Sequence, residues 1–241
     1  MKSFNQELES ALVAEIRKHR EQDQVIQGNY GYREEGKFRG CAVGCAVDSL
    51  FVIGGHDTPY YLCTDHGIYE RELGIPRILA ELQDIIHEGL SDESFPTWPE
   101  RFMEAVPTET ELSLVFPKFA WWLIVHPVVG MIEHAQDRQT MGELRNAAGV
   151  VATAGIGKIP VPQEEWITKS HYLLKGCRTD KAAQVVGQLL RACSPVGIRQ
   201  DIDRAIVGAA VVLCNYFDCN EQFYEKCAEK LIELLKAEGD E

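Results

Sequence analysis

The chain has 241 residues, of which 45% are hydrophobic and 25% charged, with 37 acids against 24 bases and a formal net charge of −13. That length and apolar fraction suffice for a substantial buried core. The charge speaks against direct nucleic-acid binding, which needs a surplus of Lys and Arg facing phosphate. No apolar run reaches the roughly 18 residues that cross a bilayer; the best one, "FAWWLIVHPVVGMI", is interrupted by His126 and Pro127.

Taken in chain order, the hydrophobic spacing is helical nearly throughout. Phe4, Leu8, Ala11, Leu12 and Ile16 recur at helical intervals, and Ser3 with Gln6 has the form of a capping box. Acids appear in this segment from the start and no uninterrupted apolar core follows, so no secretory signal is expected. The glycines of "QGNYGYREEGK" end the first helix. "SLFVIGG" and "PYYLC" suggest a small hairpin or irregular insertion near residues 50–67.

Pro76 to Glu88 is the clearest helix, with proline in the first turn, an Ile78, Leu79, Leu82, Ile85, Ile86 stripe, and Gly89 to stop it. A short helix is expected over Pro99–Ala105, and another over Thr110–Val125, broken or kinked at Pro117. Thr140 and Glu143 form a second capping box, opening a helix that runs to Ala154. Helices over Gln163–Lys175, Asp180–Cys193, Arg199–Phe217 and Asn220–Ala237 complete the chain. The expectation is an all-α protein: one domain spanning 1–241, a multi-helix bundle of nine to ten helices.

Between Glu81 and Glu111 nine acids accompany a single base, Arg101. The eight cysteines, at 41, 45, 63, 177, 193, 214, 219 and 227, are expected as reduced thiols of a cytoplasmic protein. Two of them lie in "GCAVGCAVD", residues 40–48. Once helical, Cys41 and Cys45 share a face, because residues four apart are stacked neighbours. The leading reading of this stretch is close packing: two glycines cost a helix about 1 kcal/mol each, and close backbone approach is the usual reason.

A sharper reading adds Cys63 and His66. The pattern C-x3-C-x17-C-x2-H fits a tetrahedral Cys3His zinc site, since thiolate and imidazole suit that metal. A third reading makes Cys41 or Cys45 a nucleophile, with His56 or His66 as base and Asp57 or Asp65 orienting it. Trp98, Arg101 and Trp121 are candidates for an interaction surface, tryptophan and arginine being favoured at interface hot spots. His126, His134 and His171 have no ligand-spaced partner and read as structural.

"GCAVGC" (40–45), "YERELGIPRILAELQDIIHEGL" (69–90) and "WPERF" (98–102), in that order, resemble a pattern found in bacterial and phage proteins with no established activity. The resemblance covers residues 25–120. It implies a bacterial or phage cytoplasmic setting and carries over no functional residue.

Two functions of different kinds follow. The first is a non-enzymatic cytoplasmic protein that acts through a protein partner, needs no cofactor, and leaves homo-oligomerisation open. The alternative is a small-molecule or zinc-binding protein, or an enzyme, built on Cys41, Cys45, Cys63 and His66.

Overall fold

The computed structural model describes residues 5–156, 162–177, 179–193, 199–213 and 220–240. Among them ten α-helices, five short 3-10 or π-helical turns and one two-stranded hairpin account for the regular structure, so the chain is an all-helical, multi-helix protein. The chain divides into two compact units. The first comprises residues 1–112 and 224–241, the second residues 113–223. No helix among the described residues is long and apolar enough to cross a membrane.

The first unit begins with α1 (Gln6–Glu21), which buries Leu12, Val13, Ile16 and His19. Asn5 caps it, its Oδ1 accepting the Leu8 N–H at 3.0 Å. The cap is therefore Asn5, while the expected Ser3 falls outside the described residues. Strands β1 (Tyr32–Glu34) and β2 (Lys37–Arg39) pair antiparallel. Their turn carries Glu35 and Gly36 at φ 50° and 81°, the left-handed pair that a two-residue hairpin turn requires.

Helix α2 (Ala42–Ile53) follows and is buried from Ala42 through Ser49. The "SLFVI" run is thus the end of a helix, and "PYYLC" forms a 3-10 turn over Tyr60–Thr64. The hairpin lies upstream, at residues 32–39. The physical reason is the glycine pair: Gly54 and Gly55 stop α2, and Gly55 takes φ 73°, but no strand pairs across them.

Gly44 sets the position of α2. A Cβ there would overlap the Tyr30 carbonyl oxygen outright and stand 2.8 Å from the Tyr30 carbonyl carbon. The close approach expected of the glycines is therefore real, but it is made by the 25–31 loop and not by another helix.

A π-helical turn over Tyr69–Leu73 leads through Gly74 (φ 70°) to α3 (Arg77–Gly89), with Pro76 at its N-cap. Helix α4 (Trp98–Ala105) has Pro99 in its first turn, where no N–H is needed. Trp98 and Phe102 are wholly buried, each removal from water being worth roughly 2–3 kcal/mol. The part of α10 (Asn220–Gly239) from Tyr224 onward belongs to this unit and buries Cys227, Leu231, Leu234 and Leu235.

The second unit holds α5 (Val115–Val125), α6 (Arg138–Val150), α7 (Gln163–Gly176), α8 (Lys181–Cys193) and α9 (Arg199–Leu213). Helix α5 starts at Val115 instead of Thr110, so Pro117 sits in its first turn and does not break it. Asp137 caps α6, taking the Thr140 N–H at 2.8 Å and the Thr140 hydroxyl at 3.1 Å. The capping box expected at Thr140 is replaced one turn earlier because a carboxylate accepts both donors. Helix α8 is the centre of this unit, packed against α7 and α9. Cys214 and Cys219 lie outside the described residues.

Candidate functional site

Helix α3 projects Asp84 and Glu88, four residues apart, from one face. Across from them stands Cys41, the N-cap of α2, held in an extended conformation (φ −69°, ψ −178°). Its N–H donates to the Asn29 carbonyl at 2.8 Å. Cys41 Sγ and one carboxylate oxygen each of Asp84 and Glu88 all lie within 4.8 Å of one another. Cys41 and Asp84 are each 1% exposed, while Glu88 is at the surface, so the cluster reaches solvent at one side.

The surroundings hold these groups in place. His66 Nε2 stands 3.1 Å from Asp84 Oδ2, and both residues are buried. Facing a carboxylate, that nitrogen carries the proton and donates. The Tyr30 ring meets the His66 ring edge-on at 5.8 Å. Glu88 Oε2 accepts the Gly28 N–H at 2.7 Å, and Gln27 Nε2 donates to the His87 and Leu90 carbonyls. The 25–31 loop, pinned by Gly44 on one side, is thereby tied to the C-terminal turns of α3 on the other.

Burial pushes the Cys41 thiol well above its ordinary range; the neighbouring Asp84 carboxylate adds to that, and the Gly44 amide opposes it. Burial therefore favours the neutral thiol at Cys41. The same burial opposes the thiolate that a helix N-terminus would favour, which weighs against the nucleophile reading. Its other members are engaged elsewhere or exposed. His66 pairs with Asp84, Asp65 pairs with Arg71, and His56 and Asp57 are exposed.

The four residues of the sequence pattern are divided between two environments. Cys41 and His66 both border Asp84. Cys45 and Cys63 sit in an apolar cluster with Val25 and Phe38, where the Cys45 thiol donates to the Gly40 carbonyl at 3.3 Å. Burial raises both thiols, Cys63 to about 11. Among the described residues, the group whose donor atoms come within 4.8 Å is Cys41, Asp84 and Glu88. Asp84 and Glu88 escaped the sequence reading. The available signal was Asp84, a carboxylate flanked by the apolar Leu82, Ile85 and Ile86 of the α3 stripe.

The interaction candidates separate too. Trp98 is wholly buried, its indole N–H donating to the Gln83 carbonyl at 3.0 Å, so it anchors α4 to α3 and offers nothing to a partner. Arg101 is half-buried, and Trp121, in the second unit, is exposed. A groove of about 440 Å³ in the first unit is lined by Leu50, Phe51, Ile53, Leu62 and Ile68, together with the polar His56, Arg71 and Glu72. Tyr61 and Val52 are exposed in the segments that form it.

No protein-family model matches the chain, and no curated protein or solved structure matches it significantly.

Proposed function

We propose that the first unit is a divalent-metal-binding module, zinc by preference, with Cys41, Asp84 and Glu88 as ligands. The observation that carries this reading is the convergence of one thiol and two carboxylates within 4.8 Å. Donors of a tetrahedral zinc, at about 2.3 Å for sulfur and 2.0–2.2 Å for oxygen, stand roughly 3.5 Å from one another. Closing the cluster onto an ion therefore requires side-chain movement on the order of 1 Å. A thiolate donor favours zinc and its soft neighbours over Mg²⁺ and Ca²⁺, which prefer all-oxygen shells.

A bound cation also reverses the local electrostatics. Two carboxylates crowd a buried thiol that resists ionisation; a dication would balance the carboxylates and displace the thiol proton to solvent. His66, donating to Asp84, orients that ligand in the way outer groups do at metal sites. Three protein donors leave one position of a tetrahedral ion for water or an exogenous ligand.

Elemental analysis of protein purified without chelator tests this: about one equivalent of zinc in wild type, lost in Asp84→Asn and in Cys41→Ala. Protein that carries no metal and takes up neither Zn²⁺ nor Co²⁺ on titration would refute the reading.

Action through a protein partner is a second reading, favoured by this groove of mixed apolar and charged lining, with Tyr61 exposed beside it. A partner retained by wild type and lost by Tyr61→Ala with Ile53→Asp supports it. Equal retention by that variant counts against it.

A further inference from the structure

Each of the three candidate ligands, or the group that orients it, is touched by one segment, residues 26–31. The Asn29 carbonyl takes the Cys41 N–H at 2.8 Å, and Gly28 donates its own N–H to Glu88 Oε2 at 2.7 Å. The Tyr30 ring stands edge-on to His66, whose Nε2 is 3.1 Å from Asp84 Oδ2. Both ends of the segment are fixed. At one end the Ile26 N–H donates to the Gly40 carbonyl at 2.9 Å, and the Ile26 carbonyl faces His87 Nε2 at 2.9 Å. At the other end the Tyr30 carbonyl abuts Gly44, and a Cβ on Gly31 would stand 2.4 Å from Phe38 Cζ. Between these ends Gln27 is half-buried, while Gly28 and Asn29 are exposed. That middle is held by polar bonds: the Gln27 amide to the His87 and Leu90 carbonyls at 2.7 and 3.0 Å, and the bonds of Gly28 and Asn29. A stretch tied down by surface polar bonds, with no apolar side chain to bury, opens more readily than the core.

We propose that residues 26–31 form a strap that closes over an ion at Cys41, Asp84 and Glu88, and that strap and ion hold each other in place. This rests on the metal reading above. Cys41 and Asp84 are buried and Glu88 is exposed, so an ion enters and leaves on the Glu88 side. Glu88 is also the ligand whose carboxylate the strap holds directly. A carboxylate offers about four lone-pair sites, so Glu88 can keep the Gly28 N–H and bind a cation together. Opening the strap removes the bond that fixes Glu88, and the ion then faces a ligand no longer aimed at it. An ion that binds the closed strap more tightly than the open one shifts the population toward closure. By the same linkage, closure raises the affinity by the same factor. Strap opening therefore governs how fast the ion escapes.

The test is amide hydrogen exchange of metal-free and Zn²⁺-loaded wild type, with Zn²⁺ release to a chelator measured for wild type and Gln27→Ala. With free Zn²⁺ at about 100 times its Kd, linkage slows exchange that needs strap opening by up to about 100-fold. The amides of residues 26–31 should therefore exchange about 10–100-fold more slowly in the loaded protein. Gln27→Ala removes the two bonds to the end of α3 and keeps all three ligands. It should release Zn²⁺ about 10-fold faster, the lower end of the usual effect of losing a group that supports a metal ligand. Loaded with Co²⁺, it should keep the wild-type sulfur-to-cobalt charge-transfer band, because the ligand set is unchanged. An altered band would count against the strap, by showing that Gln27 shapes the ligand set itself. Loaded wild type whose 26–31 amides exchange at the metal-free rate, or Gln27→Ala that releases Zn²⁺ at the wild-type rate, would overturn the strap and leave the metal site standing. Wild type that takes up no Zn²⁺ would overturn the metal reading and the strap together.

Discussion

Gly44→Ala adds one carbon at the point where α2 meets the 25–31 loop. That carbon would overlap the Tyr30 carbonyl oxygen and sit 2.8 Å from its carbon, about 0.6 Å inside the 3.4 Å at which ordinary contact begins. The obstacle is backbone, and it is held from both directions. Cys41 N–H donates to Asn29 O, Gly31 N–H to Asn29 Oδ1, and Gly28 N–H to Glu88. Overpacking costs about 1–3 kcal/mol, and a clamped loop belongs at the upper end. Alanine returns about 1 kcal/mol through its helix propensity. The net is ~2 kcal/mol of destabilisation, a fall of roughly 4–8 °C in melting temperature.

Gly149 in α6 supplies the control, since nothing lies within 4 Å of its would-be Cβ. Gly149→Ala should stabilise by about 0.5–1 kcal/mol. The assay is a pair of melts followed by far-UV circular dichroism, with the same substitution giving opposite signs. A Gly44→Ala protein that melts at or above wild type would refute the packing argument.

Zinc added to metal-free protein should raise the melting temperature of wild type and leave Asp84→Asn unchanged; the same shift in both would remove Asp84 from the ligand set. Burial holds the pKa of His19 and His87 below the ordinary value, against Gln24, Asp48 and Glu15 at His19 and the Ile26 carbonyl and Asp84 at His87. Each contributes stability that is present above the unfolded value near 6.5 and lost as pH falls toward the folded value, because the unfolded chain binds the proton first. Metal-free protein should therefore melt lower at pH 5.5 than at 7.5, and a flat profile would contradict this. Burial pulls the Glu100 carboxyl up, but Arg17 and Arg20, at 2.6 and 2.9 Å, outweigh it and hold the group below its ordinary value. Glu100→Gln should lower the melting temperature at pH 7, with the difference from wild type shrinking below about pH 4 as the native carboxylate is protonated; a difference that persists in acid would point to packing instead.

Local chemistry wrote most of the helices legibly. Pro76 and Gly89 bracket α3, the apolar spacing of α8 and α10 gives their extents within a residue or two, and the glycines at 40 and 44 announce a close approach. Where the reading of an element missed, the competing group was one side chain away. Asn5 caps α1, Asp137 caps α6 in place of Thr140, and a proline in the first turn of α5 leaves the helix unbroken. Such choices depend on which donor or acceptor the folded backbone presents, and several residue types can supply it.

The candidate site was half legible. Cys41 and His66 stand out by residue type and spacing, and helical periodicity pairs Cys41 with Cys45. Spacing along one helix, however, says nothing about what lies opposite each side chain. The 25–31 loop, wedged against Gly44 and tied to Glu88, places α3 beside Cys41 and leaves Cys45 among Val25, Phe38 and Cys63. Asp84 lies 43 positions from Cys41 in the chain, and nothing local joins them. The sequence by itself determined a helical, acidic chain with reactive side-chain types near its start. Only the tertiary structure decided which of them meet, because convergence depends on long-range packing and hydrogen bonds that short-range periodicity does not encode.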